Sequence, residues 1–207
     1  RDRAALQVHL IAQSRQQERE GVLRDMHDGF GSQLASVRML AEKGQITPQQ
    51  MSAYLDEISA DLYLVVDTLG HADITLEDGL ADMRYRLTPR LAQMEMALHW
   101  QLDLEGAPAL KPRAVLQILR VIQEALSNAF KHAGASNIHV TACFNASYDR
   151  LDVRVQDDGK GIPPHMHPGR GLQNMRYRVR ELGGALQIAA CNPGTAIILE
   201  VPFNPAS

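Results

Sequence analysis

The sequence predicts two parts of different fold class. An all-α helical hairpin over residues 1–70, which pairs with a second copy as a dimeric four-helix bundle, precedes an α+β sandwich over residues 75–207. Three observations predict this division. Up to Leu69, apolar residues recur at the three-and-four spacing of one helix face. Beyond Ala97, short runs alternate apolar and polar residues with the period of half-buried strands. Between the two patterns, residues 71–75 read as a linker.

The first helix carries its stripe at Leu23, Met26, Phe30, Leu34, Val37 and Leu40/Ala41, and stops near Gly44. Thr47-Pro48-Gln49-Gln50 then supplies an N-cap, a proline at the first helical position and a glutamine at the third. The second stripe runs through Met51, Tyr54/Leu55, Ile58, Leu62, Val65/Val66 and Leu69. An isolated hairpin of this kind leaves half its apolar surface wet, so a homodimer is predicted.

Thr75-Leu-Glu-Asp78 caps the next helix, with Leu80, Met83, Leu87, Leu91 and Met94 on its apolar face and Pro89 expected to kink it. A strand over 97–104, a helix over 111–133 and strands over 137–144 and 151–156 follow. A Gly/Pro/His loop over 157–171 leads to a helix ending near Leu182. A last hairpin, 186–191 with 195–201, turns at Asn192-Pro193-Gly194. Helices on one side of a mixed, mainly antiparallel sheet complete the sandwich.

Composition narrows the function class. In 207 residues, 45% are hydrophobic and 22% charged, ordinary values for a globular protein. A net charge of −3 argues against direct nucleic-acid binding. Cys143 and Cys191 lack metal spacing and read as buried reduced thiols. No apolar run approaches the ~20 residues of a membrane span. The chain opens in helix-like sequence without a methionine and reads as a cytoplasmic fragment; an absent N-terminal region would hold a sensor or a membrane anchor.

Within the 111–133 helix, Gln117, Glu124, Asn128 and Lys131 share the face opposite the apolar one, with His132 at its edge. A carboxylate and a carboxamide one turn apart, followed by a cation, suit a Mg²⁺-phosphate platform as well as a plain solvated face. Strand parity points Asp157 inward with Leu151, Val153 and Val155, where an ionised carboxylate requires a hydrogen-bond donor such as an adenine amine. Asp158 points to solvent and reads as incidental. Thr195 faces inward with Ile197, Leu199 and Val201. Gly159 and Gly161 permit a tight turn against a flat base, and Gly169-Arg170-Gly171-Leu172 opens a helix whose free amides favour phosphate.

Upstream, His27 sits mid-helix beside Asp28, with Gly29 and Gly31 loosening the helix by about 1 kcal/mol each relative to Ala. An imidazole near its ordinary pKa of about 6.5 is a competent nucleophile at neutral pH. Asp28 alone would read as a surface partner of Arg24. His165-Met-His167 is a weak metal pattern in a loop.

Taken in order, Glu124-Ala-Leu-Ser-Asn128-Ala-Phe-Lys131-His132-Ala133, Asp157-Asp-Gly159-Lys-Gly161-Ile, Gly169-Arg-Gly171-Leu-Gln-Asn174-Met and Pro193-Gly194-Thr195 resemble the ATP-binding domain of sensor histidine kinases, the Bergerat-type fold shared with gyrase, Hsp90 and MutL. With Arg24-Asp-Met-His27-Asp28 upstream, residues 15–203 are similar to the cytoplasmic core of a NarX/DesK-type kinase. The resemblance implies ATP and Mg²⁺ as cofactors, a homodimer, and a NarL-type response regulator as partner. It implies that His27 is the phosphoacceptor, Asp28 the acid polarising it, Asn128 a Mg²⁺ ligand and Glu124 a catalytic or metal-shell residue. It further implies that Lys131 and His132 contact phosphate, Asp157 binds the adenine amine, Gly159 and Gly161 shape the base pocket, Gly169 and Gly171 hinge a mobile lid, Leu172 belongs to the nucleotide-binding set, and Thr195 closes the adenine side. In this family a glutamine four residues after the acid goes with phosphatase activity; here that position is Ser32, with Gln33 next, which puts that activity in doubt. The rival readings are another ATPase of the same fold and a nucleotide-sensing dimerisation module. The hairpin bearing His27-Asp28 argues against the first, and intact Glu124, Asn128 and Asp157 against the second.

Overall fold

A computed structural model describes residues 74–93, 95–162 and 169–203 without a break, residues 37–52, and scattered positions elsewhere among the first 63. The chain divides into two compact units, Arg1–Ile74 and Thr75–Ser207.

In the first unit, residues 37–42 are helical and stop where the glycine signal places the end. Gly44 takes φ 62°, its N–H donates to Ala41 O at 3.0 Å, and Gln45 N–H donates to Leu40 O at 2.9 Å. This Schellman pattern satisfies carbonyls that the helix end would otherwise leave unpaired. The next helical stretch, 48–52, opens on a reciprocal capping box: Gln50 N–H donates to Thr47 Oγ1 at 3.2 Å and Thr47 N–H to Gln50 Oε1 at 2.9 Å. Val37 is buried, whereas Leu34, Leu55 and Leu62 remain 46%, 45% and 48% exposed. His27, Asp28, Gly29, Ser32 and Gln33 lie outside the described residues.

The second unit begins with α1 (Leu76–Gln93). Asp78 N–H donates to Thr75 Oγ1, and Asp78 Oδ2 accepts the Thr75 N–H, both at 3.1 Å. Leu76, Leu80, Met83 and Leu91 are buried, and Pro89 sits inside the helix at an exposed position. Strand β1 (Ala97–Asp103) leads to α2 (Pro112–Asn128). Then come β2 (Asn137–Asn145), β3 (Arg150–Asp157), α3 (Arg170–Glu181), β4 (Ala185–Ala190) and β5 (Thr195–Pro202).

The five strands order β1-β2-β3-β5-β4. β1 and β2 are parallel because α2 crosses between them, and every other pairing is antiparallel. Register aligns Val140 with Val155 and Val155 with Ile197, making one apolar row across three strands. That inner face, with Ile138, Leu151, Val153, Leu199 and Val201, is buried together with Val115, Ile118, Leu119, Ile122 and Leu126 of α2 and Met175 and Val179 of α3. Each fully buried Leu or Ile contributes about 1.5–3 kcal/mol, so this layer dominates the stability of the unit.

Two expectations are corrected here. The helix predicted over 111–133 is α-helical only to Asn128; Ala129–Ala133 form a π turn, ended by Gly134 at φ 62°. The β3 loop meets the end of this turn: Lys160 N–H donates to Ala133 O at 3.0 Å. The cysteines are not buried. Cys143 is exposed and Cys191 is half-buried, with Arg154 Nη2 donating to its Sγ at 3.6 Å. Strand parity, which alternates faces, turns Cys143 away from the core.

A candidate nucleotide site at the end of the sheet

The π turn, the end of β3 and the start of α3 enclose a cavity of about 480 Å³. Its lining brings together Glu124, Asn128, His132, Asp157, Gly161, Gly169, Gly171, Leu172 and Thr195, nine of the positions singled out from sequence. Local periodicity alone could not establish this convergence, because the residues come from α2, the π turn, β3, α3, β5 and the loop between β3 and α3.

One wall is α2. Asn128 Nδ2 donates to Glu124 Oε1 at 3.3 Å, so the two side chains form a pair across one helical turn. Holding the amide nitrogen toward the carboxylate leaves Asn128 Oδ1 as the atom suited to a hard cation. Among the described residues no group of three or more His, Cys, Asp or Glu could hold a metal by itself. That donor set fits an ion such as Mg²⁺, which keeps waters and substrate phosphates among its ligands. His165 and His167 lie outside the described residues.

The floor is apolar. Val155 and Ile197, paired in register, line it beneath the small wall Ala125, Ala129 and Ala133. This geometry suits a flat ring. Asp157 stands at its edge as strand parity requires, and its Oδ1 accepts the Gly159 N–H at 2.9 Å in a tight turn. Thr195 is buried on the same side.

The glycines have identifiable reasons. A Cβ on Gly171 would run into Glu124 Oε1, so only glycine lets that carboxylate lie across the first turn of α3. A Cβ on Gly159 would collide with Ala133 O, so Gly159 lets the loop pack on the π turn. Gly159 therefore shapes the cavity from behind and is not part of its lining.

Lys131 departs from expectation. It is exposed and absent from the lining, whereas His132 lines the cavity. An α-helical period groups Lys131 with Glu124 and Asn128, but the wider π turn advances the inward position by a residue. Lys160 also lines the cavity, a role its exposed loop position does not announce. Its place between two glycines of the loop was the available signal. Asp158 is likewise not incidental: Oδ1 accepts the Ser136 N–H at 2.7 Å and the Asn137 N–H at 2.9 Å, and Oδ2 accepts Asn137 Nδ2 at 2.8 Å. These bonds, the Asn137 backbone N–H foremost, hold its carboxyl below the usual carboxylate range.

Residues 114–205 match the family described as Histidine kinase-, DNA gyrase B-, and HSP90-like ATPase. The chain is 28% identical to the signal transduction histidine-protein kinase/phosphatase UhpB of Salmonella typhimurium over 208 residues, covering 93% of this chain and 40% of that protein. It is 27% identical to the sensor protein VraS of Staphylococcus epidermidis over 202 residues, covering 90% and 56%. The chain thus spans about half or less of the length of these relatives. Among solved structures, it resembles the histidine kinase domain of the blue-light activated histidine kinase of Erythrobacter litoralis with a TM-score of 0.64, at 20% identity, covering 86% of this chain and 94% of that one. Fold and sequence relatives agree: residues 114–205 of the second unit match the histidine kinase-, DNA gyrase B- and HSP90-like ATPase family, and the chain is similar to sensor histidine kinases.

Proposed function

We propose that the chain is the catalytic core of a two-component sensor histidine kinase, which transfers the γ-phosphoryl group of ATP to His27 and then to an aspartate of a response regulator. The observation that carries this is the convergence of Glu124, Asn128, Asp157 and Thr195 on one cavity with an apolar floor. In this reading the adenine lies between Ala125, Ala129, Val155 and Ile197, with its amine donating to Asp157. The triphosphate runs toward His132, Lys160 and the first amides of α3, where the helix dipole favours negative charge. Asn128 and Glu124 would hold Mg²⁺, which neutralises phosphate charge when bound.

The chemical step forms a bond from a ring nitrogen of His27 to the γ-phosphorus as the bond to the β,γ-bridging oxygen breaks, releasing ADP. The NarX/DesK resemblance assigns Asp28 to accept a hydrogen bond from the other ring nitrogen, which would stabilise the developing positive charge. A second transfer regenerates His27. The NarX/DesK resemblance points to a NarL-type regulator as acceptor and to residues 1–70 as the dimerising phosphoacceptor hairpin. Leu34, Leu55 and Leu62, about half exposed in the single chain, supply the apolar seam for such a dimer.

Incubation with Mg²⁺ and γ-labelled ATP tests the proposal. Wild type is expected to take up acid-labile label, lost in both His27→Gln and Asn128→Ala. Label retained by His27→Gln would overturn the acceptor assignment.

A further inference from the structure

We propose that Asp158 is a positioning residue for the base-binding carboxylate next to it; this rests on reading the cavity as an adenine site. Asp158 has the opposite strand parity to Asp157, so its carboxylate turns away from the cavity and onto the segment that follows the π turn. There it accepts the backbone N–H groups of Ser136 and Asn137 and the side-chain amide of Asn137, at 2.7, 2.9 and 2.8 Å. Its own N–H donates to Asn137 O at 3.2 Å, and Lys160 N–H donates to Ala133 O at 3.0 Å. Residues 133–137 and 158–160 are therefore joined at both ends of a short double segment.

This clasp bears directly on Asp157. Asn137 begins β2, and the next residue, Ile138, is the register partner of Asp157. On the other side Asp157 Oδ1 is tied to the Gly159 N–H, and Gly159 packs on Ala133. The Asp157 side chain is thus aimed by a turn whose two flanks Asp158 holds. The carboxylate accepts from all three donors with the Asn137 amide as it stands. An amide at 158 would keep the two backbone bonds, but would make the third only if the Asn137 amide turned over and gave up the 3.5 Å contact of its Oδ1 with His99 Nε2. Without the clasp, the turn loosens relative to the Val155–Ile197 floor, and contact with the base edge is lost sooner than contact with the phosphates.

The test compares ATP with GTP, both as Mg²⁺ complexes, by calorimetric titration of the intact chain alongside thermal melting. Asp158→Ala is expected to weaken ATP binding about tenfold or more, with GTP affinity little changed, so that the preference for ATP collapses. Asp158→Asn keeps an acceptor for both backbone amides and is expected to weaken the preference less than Asp158→Ala does. The double exchange Asn137→Asp/Asp158→Asn restores the side-chain bond with donor and acceptor swapped, and should bring the ATP preference back to within about threefold of wild type. An unchanged preference in Asp158→Ala with a lowered melting temperature would make Asp158 structural only and overturn the proposal. If Asp158→Ala does not fold, the exchanged pair decides, and failure of its folded form to recover the preference overturns it equally. A wild type without ATP binding removes the adenine-site reading and this proposal together, whereas a wild type that binds ATP with a silent Asp158→Ala removes this proposal alone.

Discussion

Replacing Gly171 with alanine separates stability from activity at one atom. Gly171 lies in the first turn of α3, where its backbone permits any residue. The added Cβ would meet Glu124 Oε1 and lie 2.9 Å from Glu124 Cδ and 3.5 Å from Cγ. The obstructing group is the far end of a flexible side chain, so it can rotate away at small conformational cost. Alanine is favoured over glycine in a helix by up to about 1 kcal/mol, less in a first turn. The two effects nearly cancel, and stability should stay within about 1 kcal/mol of wild type. Activity should not survive so well. The displaced carboxylate gives up the 3.3 Å bond from Asn128 Nδ2 and leaves its place on the cavity wall. A shift of about 1 Å in such a group costs on the order of 10²-fold in rate. Thermal melting and initial rates of histidine phosphorylation measure both quantities. A variant that melts as wild type and also phosphorylates as wild type would refute the argument that Glu124 acts from its observed position. A loss of several kcal/mol would refute the claim that the obstruction is soft.

Gly159→Ala should behave oppositely, because its Cβ meets the Ala133 backbone, which cannot rotate away; a loss of about 2–3 kcal/mol is expected by denaturant unfolding. Asp158 has a folded-state pKa below its unfolded one, so its contribution is present above the unfolded value and lost as pH falls through the folded one. Acid titration should show stability declining below about pH 4, with a shallower slope in Asp158→Asn. Asp157→Asn, which replaces an acceptor with a donor at the base edge, should weaken ATP binding by about tenfold or more while leaving the melting temperature nearly unchanged, measured by titration calorimetry. Leu34→Glu combined with Leu62→Glu should raise the dimer dissociation constant about a hundredfold, seen as a monomer by light scattering; an unchanged dimer would relocate the seam.

Local signals were read reliably wherever a local bond enforces them. The capping boxes at Thr47 and Thr75, the stop at Gly44 and the alternation of β2, β3 and β5 all concern residues within a few positions of one another. The inward placement of Asp157 and Thr195 follows from strand parity, which sequence carries directly. Misreadings cluster where a partner distant in the chain intervenes. Lys131 shares a face with Asn128 only if the helix keeps its period, and the bond from Lys160 to Ala133 shows that the β3 loop bears on its end. Asp158 has the pattern of a solvated acid until the loop at Ser136 and Asn137 is brought against it. The cysteines looked buried because their neighbours are apolar, yet each sits off the core face.

By itself, the sequence determined the order of elements from Thr75 onward and the residue types that line the cavity, because periodicity, caps and turns are properties of neighbouring residues. Tertiary structure alone decided which of those residues meet. It set Glu124 across Gly171, advanced the inward position from Lys131 to His132, and turned Asp158 from a surface charge into a clasp. The physical reason is shared: a group in one segment takes its hydrogen-bond partner or its space from another, and no local period encodes that choice.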